Sequence, residues 1–299
     1  PMISAAMPPT NPPMKSACKT IIGAALIAAV AHAAGWVLTY RTVVPPDAGH
    51  VIESLSFNID VRKKASAKEQ RRRIEEIEDR IERIAEVTKG LRTYSVQAEL
   101  ARVPEIAARH DLTVTLGAWI SKDETRNRDE IEGVVLLAAQ HRNVRSIVVG
   151  NETVLRKERT VEELIASLRE VRRRVHVPVS SGETWDIWLK HPELVKEVDF
   201  LAVHILPYWE AKSAAIALRY AFDRYEDLRR AYPGKRIVIA EFGWPSRGYN
   251  RNEAAPHLQS QADIIRSFIA EADQRGIYYN IIEAFDQPWK MAEGSVGPY

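Results

Sequence analysis

Residues 144–152 read VRSIVVGNE, and residues 235–245 read KRIVIAEFGWP. Both are short runs rich in Val and Ile with little apolar–polar alternation, the pattern of strands buried on both faces. The first ends on Glu152 and the second runs through Glu241. Strands of this kind form parallel sheets, and a parallel sheet needs a helix between successive strands.

Outward from these two runs, the helices are present. Thr160-Val161-Glu162-Glu163 is a capping box that opens a helix behind the first run. A strand VHVPVSSGE (175–183) follows, then a helical stretch with WLKHPELVKE. Next come a strand VDFLAVHILPYW (198–209) and a helix over 212–231. Beyond the second run lie a helix over 257–275 and a last strand, IYYNIIEAFDQ (277–287). On the N-terminal side the order is strand GLRTYSV (90–96), helix ELARVPEIAARH (99–110), strand LTVTLGAWI (112–120) and helix RDEIEGVVLLAAQH (128–141). The first unit is a strand VIESLSFNI (51–59) and a helix opened by the capping box Ser66–Glu69, with Ile74, Ile77, Ile81 and Ile84 along one face. Eight strands, seven of them followed by a helix, predict an α/β fold, a closed (β/α)₈ TIM barrel, which takes about 250 residues. Neither a G-x-G-x-x-G after the first strand nor a G-x-x-x-x-G-K-[ST] is present, so dinucleotide and P-loop readings have no support.

Composition narrows the function. Hydrophobic residues are 45% and charged residues 27% of the 299, the balance of a folded chain. Lys+Arg 42 against Asp+Glu 40 is too even for a protein that binds nucleic acid by phosphate neutralisation. The single cysteine, Cys18, excludes an internal disulfide framework and a Cys-based zinc site.

The N-terminus is a separate object. Residues 1–13 are polar and Pro-rich and are expected to be disordered, within a flank over 1–19. Thr20 to Tyr40 carries no charge and has the roughly 20 residues that a membrane-spanning helix needs. Lys15 and Lys19 precede it, which keeps that end cytoplasmic under the positive-inside rule and exports the barrel. A transmembrane signal anchor is the favoured reading, with the barrel in the periplasm at the inner membrane. A cleaved signal peptide, using Ala31-His32-Ala33 and giving a secreted barrel, is the second. A buried core helix is the third, and the absence of a polar face argues against it. Residues 41–50 are read as a linker and 51–299 as the barrel.

Barrel active sites lie at the C-terminal ends of the strands. Those ends carry Phe57, Asn58 and Asp60; Arg92, Tyr94 and Ser95; Trp119; Asn151 and Glu152; Glu183 and Trp185; His204, Tyr208 and Trp209; Glu241 and Trp244; and Glu283, Phe285, Asp286 and Gln287. The mouth is therefore rich in carboxylates and aromatic rings, which suits a sugar. Glycosidic cleavage needs two carboxylates: one protonates the leaving oxygen, the other attacks or activates water. Glu152 and Glu241, on strands four and seven, face one another across such a barrel. No H-x-x-x-H or H-x-x-E-H spacing exists and His204 stands alone in sequence, so no metal or other cofactor is expected.

These residues carry a resemblance. Val149-Gly150-Asn151-Glu152 resembles the acid/base motif of glycoside hydrolase family 17, the β-1,3-glucan-active barrels. Ile239-Ala240-Glu241-Phe242-Gly243-Trp244-Pro245-Ser246 resembles that family's nucleophile motif. Val203 to Trp209 is similar to its sixth-strand motif, and Phe285 to Lys290 with Glu293 to its eighth-strand segment. Residues 185–210 are similar to a bacterial branch, the periplasmic domains fused to membrane glycosyltransferases that make β-glucans. Asn58 to Lys64 departs from the Tyr-Arg-Pro-Gly segment of that branch. The family continues where this sequence reaches Tyr299, so a longer membrane protein is expected.

The resemblance implies a retaining reaction. Glu241 attacks the anomeric carbon, and Glu152 acts as acid and then base, with its pKa raised by the nearby charge of Glu241. Asn151 is expected to bind the sugar 2-hydroxyl. Tyr94, Tyr208, Trp209, Trp244 and Trp289 are candidate stacking faces, with Trp185 or Trp289 bordering an acceptor subsite. Glu183, His204, Asp286, Lys290 and Glu293 complete the expected substrate contacts. The expected partner is a β-glucan oligo- or polysaccharide, with a fused or associated glycosyltransferase domain. The favoured activity is β-1,3-glucan transglycosylation. An endo-β-1,3-glucanase and a non-catalytic glucan-binding barrel are the rivals.

Overall fold

A computed structural model of the chain describes residues 14–39, 51–61 and 65–287. The chain divides into two units, Pro1–Pro46 and Asp47–Tyr299. The first contains helix α1 (Met14–Thr39). Within α1, Cys18–Val37 is long and apolar enough to cross a membrane, and none of it is buried. Ile21, Ile27 and Val37 are all exposed. Lys15 and Lys19 fall inside α1 rather than ahead of it. The charge-free run marks what a bilayer accepts, whereas Met, Lys and Ala extend a helix equally well. The leader at 1–13 and the linker at 41–50 lie outside the described residues.

The second unit alternates strand and helix throughout. It runs β1 (Leu55–Ser56), α2 (Ala67–Ile84), β2 (Gly90–Arg92), a 3₁₀ turn (Ala98–Arg102) leading into α3 (Val103–Ala108), β3 (Thr113–Ala118), α4 (Glu124–Gln140) and β4 (Val144–Asn151). It continues with α5 (Val161–Arg172), β5 (Val179–Thr184), α6 (Trp185–Lys190), α7 (Pro192–Val195), β6 (Leu201–His204), α8 (Ala214–Ala231), β7 (Ile237–Phe242), α9 (Leu258–Gln274) and β8 (Tyr278–Ile281). Every strand pairs in parallel with the next, and Leu55 of β1 pairs with Ile281 of β8 to close an eight-stranded barrel.

The capping boxes of α2 and α5 form as their sequences dictate. The fourth helix starts earlier than its apolar pattern, at Glu124, because the Asp123 carboxylate accepts from the N–H groups of Thr125 and Arg126. Pro192 splits the stretch after β5 into two short helices. The helix layer is locked to the sheet by large side chains. Phe268 of α9 stacks on Phe242 of β7 at 3.8 Å between centroids and meets Tyr279 of β8 edge-on at 5.5 Å. Each such ring contributes roughly 2–3 kcal/mol by its burial.

The ladders are shorter than the apolar runs. Phe57 and Ile205 are fully buried, yet both lie past the ends of their strands. Beyond those ends the chain leaves the sheet and forms the loops of the C-terminal rim, where the polar residues of interest sit.

Candidate active site

Glu241 lies one residue before the end of β7 and is buried, with 5% of its side chain exposed. Its Oε1 accepts from Arg92 Nη1 at 3.0 Å. Arg92 ends β2 and is itself buried. The same guanidinium donates to the Ala240 carbonyl at 2.7 Å and, through Nη2, to Asn151 Oδ1 at 2.9 Å. A planar five-donor group thus fixes the carboxylate and the amide together. With its Oδ1 engaged, Asn151 keeps its amide N–H groups for an incoming oxygen.

His204 ends β6 and links the two glutamates. Its Nε2 lies 3.3 Å from Arg92 Nη2 and 3.3 Å from Glu241 Oε1. Its Nδ1 lies 2.9 Å from Glu152 Oε1. A carboxylate only accepts, so Nδ1 offers its proton to Glu152. One ligand-capable atom each from Glu152, His204 and Glu241 falls within 4.8 Å of the others. The histidine that stands alone in sequence is therefore the centre of the cluster. Such a trio has donors for a divalent cation, but the Arg92 guanidinium already contacts the same Glu241 oxygen.

Glu152 follows β4 on a sharply turned backbone. Gly150 has φ 81° and Glu152 φ 52°, both left-handed, and the Glu152 N–H reaches the Gly182 carbonyl at 2.6 Å. The turn leaves 22% of its side chain accessible, against 5% for Glu241. The structure corrects one expectation here: the Glu152 carboxyl is held below its ordinary value, not above it. Burial pushes it up, but the hydrogen bond and charge of His204, with Arg156 and Arg92, outweigh that. The Glu241 charge, expected to raise it, is not among the leading influences on it.

Below the glutamates is a polar floor that the strand ends alone do not reveal. Asn280 Nδ2 donates to Ser56 Oγ at 2.7 Å and to the Ala240 carbonyl at 3.1 Å. Tyr94 Oη lies 2.8 Å from the same Ser56 hydroxyl, and its ring lies 4.7 Å from the Arg92 guanidinium. Burial and then the charge of Glu241 push the Tyr94 phenol well above its ordinary value. Gly182 on β5 faces this network: a Cβ there would lie 2.9 Å from both Arg92 Nη2 and His204 Nε2. The signal for Arg92 and Asn280 is a polar residue set inside each of the apolar runs GLRTYSV and IYYNII.

Several expected substrate contacts sit elsewhere. Glu183 is fully buried and accepts from the N–H of Val154 at 2.8 Å. Side chains alternate along a strand, so with Gly182 facing the axis Glu183 faces the helix layer. It braces the loop behind Glu152, and burial pushes its carboxyl up to about 7. Tyr208 and Trp244 are buried against each other edge-on at 5.9 Å and present no open face. Tyr208 Oη donates to the Tyr249 carbonyl at 2.6 Å. Trp209 is 41% exposed, with the Arg251 guanidinium 4.9 Å from its ring. The Trp185 ring lies under Arg224 at 4.7 Å, and its Nε1 donates to Glu210 at 3.1 Å. Asp286 is exposed. Trp289, Lys290 and Glu293 lie outside the described residues.

Residues 59–299 match the BtgE/BtgC glycoside hydrolase domain. The chain belongs to this family. A probable glucan endo-1,3-beta-glucosidase of Aspergillus terreus is 25% identical over 207 residues, which is 60% of this chain and 31% of the relative. A glucan 1,3-beta-glucosidase of Schizosaccharomyces pombe is 24% identical over 206 residues, 64% of each chain. The BtgE/BtgC-type barrel thus spans about a third of the first relative's length and just under two thirds of the second's. In fold, it resembles an active-site mutant of a Rhizomucor miehei beta-1,3-glucanosyltransferase in complex with laminaritriose. The TM-score is 0.73 at 21% identity, over 83% of this chain and 91% of that one.

Proposed function

We propose that this barrel is a retaining β-1,3-glucan-active glycosidase, with Glu241 as nucleophile and Glu152 as acid/base, whose favoured outcome is transfer to a sugar. The observation that carries this reading is the pair itself: two strand-end glutamates with oxygens within 4.8 Å, one buried and pinned, the other reachable. Retaining pairs stand about 5–5.5 Å apart, whereas inverting pairs leave about 6.5–9.5 Å for a water. Glu241, held beside Arg92, attacks the anomeric carbon as the bond to the leaving sugar oxygen breaks. Glu152 gives that oxygen a proton. Covering the site with a sugar ring strips water from Glu152, which favours its neutral, proton-donating form. Glu152 then takes the acceptor's proton as the acceptor oxygen displaces Glu241.

The relatives' names support a β-1,3-glucan substrate. The same names support hydrolysis as the second reading. We further infer, from the resemblance to the bacterial branch and the apolar helix α1, a membrane-anchored barrel on the periplasmic side, working beside a glycosyltransferase domain. A 2-fluoro laminaribiosyl fluoride is the direct test of the chemistry. Mass spectrometry should find the label on Glu241. A label on Glu152 would reverse the roles, and an active enzyme that never labels would exclude retention. Incubation with concentrated laminari-oligosaccharides should give products longer than the substrate; only shorter products would leave the hydrolase reading.

A further inference from the structure

The rim opposite the glutamates has a character of its own. Seven segments there lead from helix to strand: residues 85–89, 109–112, 141–143, 173–178, 196–200, 232–236 and 275–277. They hold nine Lys and Arg against four Asp and Glu, in a chain whose totals are 42 and 40; Lys89, Arg109, Arg174 and Arg275 among them pair with glutamates just outside these segments, and the rest carry the local excess. Arg145, just inside β4, is exposed and joins them. Arg142, Arg145 and Arg173 enter no ion pair among the described residues, so their charge is not offset locally. Arg142 and Arg145 sit at the start of β4, Arg173 caps the end of α5 ahead of β5, and Arg236 precedes β7. The basic side of the rim thus follows the strand order.

The remaining arc adds exposed apolar side chains beside the Lys89–Glu53 ion pair. Tyr278 at the start of β8 is 51% exposed, and Val51 and Val87 are each 47% exposed. The Ile52 N–H donates to the Val87 carbonyl at 2.8 Å, which makes the two valines neighbours. The Arg236 guanidinium lies 4.7 Å from the Tyr278 ring, where the two arcs meet. The chain also enters the barrel on this rim, at Val51. Eleven residues separate Val51 from the end of α1 at Thr39.

We propose that this rim is a docking face for an anionic phospholipid surface. Lys and Arg near such a surface are drawn by its negative potential, and Tyr and Val settle into the headgroup boundary. Docking in this way turns the glutamate-bearing rim away from the bilayer, towards polymer. The proposal rests on α1 acting as a membrane anchor, and the two are tested separately.

The full chain is placed in nanodiscs of phosphatidylcholine alone or with added phosphatidylglycerol, and backbone amide exchange is followed. Segments 141–146 and 173–178 should slow roughly tenfold in the anionic discs only, and the slowing should vanish at high salt, where charges are screened. Exchange at 152–160 and 243–257 should not change. The triple variant Arg142→Glu, Arg145→Glu, Arg173→Glu should lose the effect. If that variant does not fold, the salt series on the native chain makes the same discrimination. Equal protection in both lipids, or protection of the glutamate rim instead, overturns docking. A chain that enters neither disc overturns the anchor; one that enters both without lipid-dependent protection overturns docking alone.

Discussion

His204 Nδ1 stands 2.9 Å from Glu152 Oε1, while its Nε2 stands 3.3 Å from Glu241 Oε1. One imidazole therefore joins the two glutamates across the barrel. Its hydrogen bond and charge are the main forces that hold the Glu152 carboxyl below the ordinary 4.5. In His204→Ala burial is opposed only by Arg156 and Arg92, so the Glu152 carboxyl should move up. Carbon-13 NMR of the Glu152 carboxyl reads this directly. An unchanged titration would mean that the arginines alone keep Glu152 ionised.

Glu183 gives a pH signature of the fold. Its carboxyl is pushed up to about 7 by burial, from 4.5. The folded chain thus holds this proton more tightly than the unfolded chain. The resulting stability is present below about pH 4.5 and lost as pH rises to about 7, a fall of about 3 kcal/mol. Glu183→Gln keeps an oxygen for the Val154 N–H and cannot ionise. Its denaturant midpoint should therefore fall less between pH 5 and pH 8 than that of the native chain, at about 3 kcal/mol less overall. Parallel curves for the two proteins would place the charge of Glu183 outside the stability balance.

The contrast between Glu152 and Glu183 also shows what the sequence makes legible. Alternating apolar runs and capped helices announce the barrel, and strands four and seven announce Glu152 and Glu241. A glutamate at a strand end does not say which way it faces. Gly182 and Glu183 are one residue apart, and that parity alone sends one to the axis and the other to the helices. Trp244 and Tyr208 pose the same difficulty, since an aromatic ring near the rim serves the core or a sugar with equal composition. Arg92 is visible in sequence as a charge in an apolar run. Its four partners, Glu241, Asn151, His204 and the Ala240 carbonyl, come from three other strands and meet only once the barrel closes.

Gly182 should be intolerant for the same geometric reason. The Cβ of Gly182→Ala would sit 2.9 Å from Arg92 Nη2 and His204 Nε2, so both side chains must shift. Displacements of this size at reacting groups cost on the order of 100-fold in rate. The expected result is a folded barrel with kcat reduced by roughly that factor. Native turnover would mean that the network relaxes without moving either glutamate.

Arg92→Lys separates charge from geometry. A lysine keeps a positive charge near Glu241 but cannot bridge Glu241, Asn151 and the Ala240 carbonyl from one plane. Folding should survive and kcat/KM should fall by roughly 100-fold, about 2.7 kcal/mol. Arg92→Met should be much less stable, because an unpaired buried carboxylate costs roughly 3–5 kcal/mol. Equal activity in the lysine variant and the native chain would reduce Arg92 to a simple counter-charge.

Transfer requires that a sugar reach the glycosyl-enzyme ahead of water. Water is about 55 M, and an oriented acceptor can reach an effective molarity on the order of 10⁵ M. Of the tryptophans expected to supply that orientation, Trp185 is engaged by Arg224 and Glu210, and Trp289 lies outside the described residues. Among the described tryptophans of the glutamate-bearing rim, Trp209 is the most open: it is 41% exposed and held by Arg251, whose Nε donates to the Trp209 carbonyl at 3.0 Å. Arg251 lies over the ring and Tyr208 meets it nearly perpendicular at 5.6 Å, so a sugar would meet its exposed remainder. Trp209→Ala should lower the ratio of transfer to hydrolysis by roughly tenfold, the worth of one aromatic contact. Donor cleavage should fall much less. Arg251→Ala should act in the same direction with a smaller effect, because it loosens the ring without removing it. Product ratios from laminari-oligosaccharides, measured beside the release of the leaving group, decide the matter. An equal loss of transfer and cleavage in Trp209→Ala would place that ring on the donor side of the cleft.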